Sequence, residues 1–233
     1  MNERPIPPLF TVWDTPVRVE PVVYGGLLTA WLGLSWLAGR RRPRLGGLAR
    51  LLVGAASLLA LISADLGHAI AHIITARHAG APMDEIYVSA TFSHTLYRDN
   101  DVPPRVHRLR ALGGPVFSAV GLAASLLFRR VTPPRSVARV VADAACLGHG
   151  YVLGGSLLPL PIVDGGTILK WTLVERGLAP ARADAALRQA NLALGTAATT
   201  AGAAFALNRR WLPALGLLAA GVTALAAAAG KLR

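Results

Sequence analysis

The segment from Leu48 to Ala76 constrains this chain more than any other. It is an almost unbroken apolar stretch, longer than the roughly 20 residues that span a bilayer. Its second half nevertheless carries Asp65, His68 and His72. At 100° per residue, Asp65 and His72 fall about 20° apart around a helix axis, and His68 about 40° from His72. The three therefore share one face. An ionisable group at membrane depth is costly, about 2.5–3.5 kcal/mol for an Asp at a helix centre, so this face should turn towards a protein interior. Two readings fit it: a metal or proton site, or an interior hydrogen-bond cluster that fixes helix packing.

Four more apolar stretches have spanning length: Val22 to Ala38, Leu109 to Phe128, Val137 to Leu158 and Leu187 to Leu207. A fifth, Trp211 to Ala229, is rich in alanine. Together with Leu48 to Ala76 they predict an all-α polytopic membrane protein of about six transmembrane helices. Only 15% of the residues are charged, against about 25% in soluble domains. The charge bunches between the apolar runs, which argues against a soluble core.

The formal net charge of +12 could suggest nucleic acid as a partner, but its distribution argues for the lipid bilayer instead. Arg40, Arg41, Arg42 and Arg44 directly follow the first apolar run, and Arg129, Arg130, Arg135 and Arg139 separate two others. Short basic loops at helix ends are topology signals and headgroup contacts. Cys146 is the only cysteine, so no intrachain disulfide can form. Residues 1–21 are polar and proline-rich and do not read as a secretory signal, so the first span should serve as an uncleaved anchor.

Between the second and third spans the pattern changes period. Ile86, Val88, Ala90 and Phe92 alternate with Tyr87, Ser89, Thr91 and Ser93, which predicts a strand or hairpin near residues 84–97. Gly113, Gly114 and Pro115 mark the entry to the third span. After the fourth span, Pro159 and Pro161 break the helix, and Asp164-Gly165-Gly166 precede the next. Such an unwound stretch at membrane depth is tolerated where it is buried or lines a cavity, which would aim Asp164 into the protein. A surface turn with Asp164 capping the following helix is the alternative. His78 reads as a headgroup-facing residue, and His94 and His107 as solvated. Asp143 suits pairing with an arginine.

Three of these segments, in this order, resemble the site-2 protease family of intramembrane zinc metalloproteases. They are Ala64-Asp65-Leu66-Gly67-His68-Ala69, Gly114-Pro115, and the run from Ser156 through Pro159 and Pro161 to Asp164-Gly165-Gly166. The resemblance covers roughly residues 50–175 and implies a membrane core at 48–178. Residues 1–47 would then form an N-terminal segment with the first helix, and 179–233 two C-terminal helices. In the alignment it implies, Ala64 replaces the family's first zinc histidine and Asp65 its general-base glutamate. His68 and Asp164 match ligands by type, and Ser118 and Ser156 stand where asparagines are usual.

A catalytic zinc takes three protein ligands plus a water, so the Ala64 substitution removes one. Asp65 is about 1.5 Å shorter than a glutamate, and misplacement near 1 Å can cost about 100-fold in rate. With His72 one turn beyond His68, Asp65, His68, His72 and Asp164 could form a displaced metal site in which Asp65 becomes a ligand, and His149 on the fourth span is another candidate ligand. The leading expectation is a non-catalytic homologue in the plasma membrane that binds a single-span membrane protein as substrate or partner. The alternatives are an active zinc protease with a rearranged site and Asp65 in catalysis, or a small transporter or metal-handling protein. In the family the strand segment holds an unwound substrate as an added strand. The family's zinc end faces the cytosol, whereas the acid-free basic loops favour the opposite orientation.

Overall fold

The computed structural model describes residues 6–89 and 93–232. In chain order the elements are β1 (Pro8–Val12), β2 (Thr15–Val19), α1 (Pro21–Arg41), α2 (Gly47–His78), β3 (Glu85–Val88), β4 (Ser93–Leu96), α3 (Pro104–Val131), α4 (Val137–Ser156), α5 (Asp164–Glu175), α6 (Pro180–Leu207) and α7 (Trp211–Ala228). The chain divides into two compact units. The first comprises Met1–Val102 with Leu112–Gly155, and the second Pro103–Ala111 with Ser156–Arg233.

Among the described residues, five helices, α1, α2, α3, α6 and α7, are long and apolar enough to cross a membrane. The sixth expected span, Val137 to Leu158, is helical as α4 but is not among them; it carries Arg139, Asp143 and His149 within 20 residues. The spanning helices keep large apolar side chains on their outer faces. Leu52, Leu59, Val120, Leu127 and Leu212 are all more than 60% exposed, as expected where lipid rather than water is the solvent.

In the first unit, α2 is the organising element. Its C-terminal half carries two stripes about 70° apart. One is apolar: Ala69, Ile73 and Ala76 are buried together with Met83, Val17 and Ile86 beneath a small sheet. The other is the polar face of Asp65, His68 and His72. The sheet has strand order β1-β2-β3-β4, with β1 and β2 antiparallel, β2 and β3 parallel, and β3 and β4 antiparallel. Trp13 and Asp14 turn the first hairpin with positive φ at both positions, the backbone a two-residue turn between twisted strands requires.

The hairpin predicted at residues 84–97 is present as β3 and β4. Ile86 is fully buried, as the alternation requires. Ala90, Thr91 and Phe92 of that alternation lie outside the described residues. The N-terminal hairpin is an addition to what the polar, proline-rich segment suggests. Its β2 strand pairs in parallel with β3 across a long sequence gap, and Val17 and Ile86 close the core together.

At the far end of α2, Ala38 of α1, Val53 of α2 and Val140 of α4 form a second cluster. Gly113, Gly114 and Pro115 do not mark the start of α3. The helix begins at Pro104 and runs through Pro115 to Val131. The missing Pro115 N–H and the lack of side chains at 113 and 114 are tolerated mid-helix because α2 packs directly against this segment, as the next subsection describes.

In the second unit, α6 and α7 pair along their small residues. Leu160, Ala224 and Ala227 are buried together, with Leu158, Val163 and Leu194 around them. His107, expected to be solvated, is instead buried and stacked on Trp171 of α5, with ring centroids 3.9 Å apart and planes 2° from parallel. Arg108 and Glu175 bridge the same two segments at 2.7 Å.

Candidate metal centre

The polar stripe of α2 faces a stretch of α3 without bulk. His68 Nδ1 lies 2.9 Å from the Ser118 hydroxyl, and His68 Nε2 lies 3.2 Å from His72 Nε2. The rings meet edge to face, with centroids 4.9 Å apart. When Nδ1–H donates to Ser118, the Nε2 of His68 is left as a bare acceptor. It then points at the Nε2 of His72. Two arrangements satisfy that geometry: an N–H···N bond between the rings, or one cation held by both nitrogens.

Gly114 lies beside them. A Cβ there would sit 2.3 Å from His68 Nε2 and 2.4 Å from His72 Nε2. Both rings therefore pack against the bare Cα of Gly114, and any side chain at this position would displace them. At Gly113 a Cβ would lie 2.4 Å from the Ala71 carbonyl oxygen, which shows how closely the two backbones approach.

His68 and His72 in the first unit, with Asp164 in the second, make up a candidate donor group for a metal ion. Two imidazoles and a carboxylate are a donor set that suits zinc, so this group could hold a metal ion. Asp164 is the first residue of α5, where a carboxylate also complements the helix dipole. The helix break before it is present as expected, since α4 ends at Ser156 and α5 begins at Asp164. Gly166 is required by close approach: a Cβ there would fall 1.9 Å from the Leu160 carbonyl oxygen, so the proline-containing loop folds back onto the start of α5.

Asn191 on α6 was not singled out from the sequence. Only 1% exposed, it donates its side-chain N–H to the carbonyl of Pro159 at 2.5 Å and to that of Leu187 at 2.9 Å. It thereby pins the loop that leads to Asp164. A lone amide in an alanine- and leucine-rich helix was the available signal.

Other expected site residues lie outside that group. Asp65, one turn before His68, accepts a hydrogen bond from the Ser93 hydroxyl of β4 at 2.6 Å. His149 packs on α3 instead, where a Cβ at Gly121 would meet its ring at 2.2 Å and its centroid is 5.8 Å from that of Phe117. Ala64, the position aligned with a zinc histidine, is fully buried, and a Cβ on Gly148 of α4 would lie 3.2 Å from its own. The histidine pair is therefore His68 and His72, one turn later than the resemblance places it.

No protein-family model matches the chain, and no curated protein does. Among solved structures, the site-2 protease from Methanocaldococcus jannaschii matches with a TM-score of 0.56 and 14% sequence identity, over 97% of this chain and 94% of that one. At that identity the likeness establishes the fold. This chain is a multi-pass integral membrane protein with the fold of a site-2 protease.

Proposed function

We propose that this protein binds a zinc-class divalent ion through His68, His72 and Asp164 and holds a transmembrane segment without cutting it. The observation that carries the reading is the 3.2 Å approach of the two Nε2 atoms where both rings pack on Gly114. A bound zinc would supply Lewis acidity at that point. Hydrolysis also needs a base to activate the water, and in the HExxH arrangement that base is the acid following the first histidine. Here that residue is Ala69. It is 2% exposed and lies in the apolar core with Val17, Ile73 and Ile86.

Retention of a partner has a separate basis. β4 ends the strand order of the sheet, and Ser93 at its start is tied to Asp65 next to the histidine pair. A segment added along β4 would be held by main-chain hydrogen bonds, which depend little on sequence. The plasma membrane is the proposed location.

Asp65 supports a second reading. Its carboxylate lies on the histidine face one turn before His68, so it is the available base for an active metalloprotease. The purified protein, loaded with zinc and incubated with a single-span membrane helix, separates the two. Binding without product, with zinc lost in His68→Ala and Asp164→Ala, is the expected outcome. Cleavage that Asp65→Asn abolishes would establish the protease instead. A protein that takes up no zinc would remove both readings.

A further inference from the structure

The end of the first unit farthest along α2 from the histidines carries an arginine layer that metal binding does not use. Residues 40–50 hold five arginines and residues 129–139 four, with no acid in either segment. Among the described residues, the carboxylate that reaches them is Asp143, which bonds Arg41 at 3.0 Å and Arg129 at 2.7 Å. One negative charge is therefore shared by two guanidiniums. Arg42 donates to the carbonyls of Pro134 and Ser136, and Arg50 to those of Pro43 and Leu45. Carbonyls orient these side chains but cancel no charge. Arg44, Arg130 and Arg135 are exposed and make no ion pair among the described residues.

The surroundings place this layer at a membrane surface. Arg40 lies over the ring of Trp36, 5.3 Å from its centroid, and Trp36 is 64% exposed, as tryptophans at the headgroup level are. Leu37, Leu127 and Val131, next to these arginines along α1 and α3, are exposed apolar side chains. Helix capping and topology account for a few basic residues at the ends of α1 and α3, where the helix dipoles favour positive charge. They do not require an excess of eight charges over one carboxylate. We propose that this layer is a binding site for the phosphate headgroups of anionic phospholipids, with the guanidiniums acting as forked donors to phosphate oxygens.

The test uses the full chain purified in mild detergent from membranes containing phosphatidylglycerol and phosphatidylcholine in equal amounts. Native mass spectrometry reads the ratio of the two lipids retained. The wild type should retain phosphatidylglycerol about tenfold in excess, and Arg44→Gln/Arg130→Gln/Arg135→Gln should bring the ratio towards one. These three side chains are exposed, so circular dichroism should be unchanged. Wild-type retention should also fall as salt rises from 0.05 to about 0.5 M. Displacement by millimolar inorganic phosphate would mark a site for the free ion and overturn the lipid assignment. An unselective wild type, or a triple variant as selective as the wild type, would overturn the proposal outright.

Discussion

The Nε2 atoms of His68 and His72 stand 3.2 Å apart, both packed against Gly114. Two imidazoles so placed either share a proton or share a cation. The second choice predicts that purified protein retains about one zinc per chain after dialysis. His72→Ala should lower zinc affinity by at least about tenfold, because two of three protein ligands do not hold zinc in a tetrahedral site. Metal analysis of wild type and variant checks this.

Gly114→Ala tests this packing. A methyl group 2.3–2.4 Å from both nitrogens would force the rings out of their present positions. It should abolish zinc retention and lower stability by about 1–3 kcal/mol through overpacking. Gly154→Ala on α4 is the control, since a Cβ there meets nothing within 4 Å. It should leave zinc content and melting temperature almost unchanged.

Ser118 is fully buried and engages His68 Nδ1 at 2.9 Å. Removing the hydroxyl frees the ring to rotate and releases its tautomer. Ser118→Ala should weaken zinc binding about 10–100-fold while leaving the stoichiometry at saturation unchanged. A competition titration against a coloured chelator measures both.

Asn191→Ala should act through the loop before Asp164. It leaves the Pro159 carbonyl without the amide that it now accepts from, a loss of about 1–3 kcal/mol where the group stays buried. Thermal melting in detergent should show the drop, and zinc affinity should fall with it. A stability loss with unchanged affinity would separate the loop from the metal group.

Ala69→Glu asks whether restoring the HExxH acid restores cleavage. The residue lies among Val17, Ile73 and Ile86, so a carboxylate there would be buried without a partner. The expected result is a destabilised protein without peptidase activity, read by melting temperature and by incubation with a single-span helix.

What could be read locally was read from the sequence. Long apolar runs separated by arginines specify membrane helices, because burial in lipid needs only composition and length. The shared face of Asp65, His68 and His72 follows from helical period alone. The break at Pro159 and Pro161 before Asp164 follows from backbone chemistry. The alternation at Ile86 and Val88 marks a strand by the same kind of rule.

Tertiary packing decided the rest. Which two residues of the polar face point at one spot depends on where α3 lacks side chains, and that is a property of the helix pair. It makes His68 and His72 the pair and leaves Ala64 packed against α4. The pairing of β2 with β3 joins strands separated by all of α1 and α2, beyond the reach of any local pattern. His107 reads as solvated from its basic neighbours, yet it is stacked on Trp171, because a ring's partner is set by the approach of a distant helix. Residue type and period limit which side chains can share a face. Only the packing of one helix on another selects the atoms that meet.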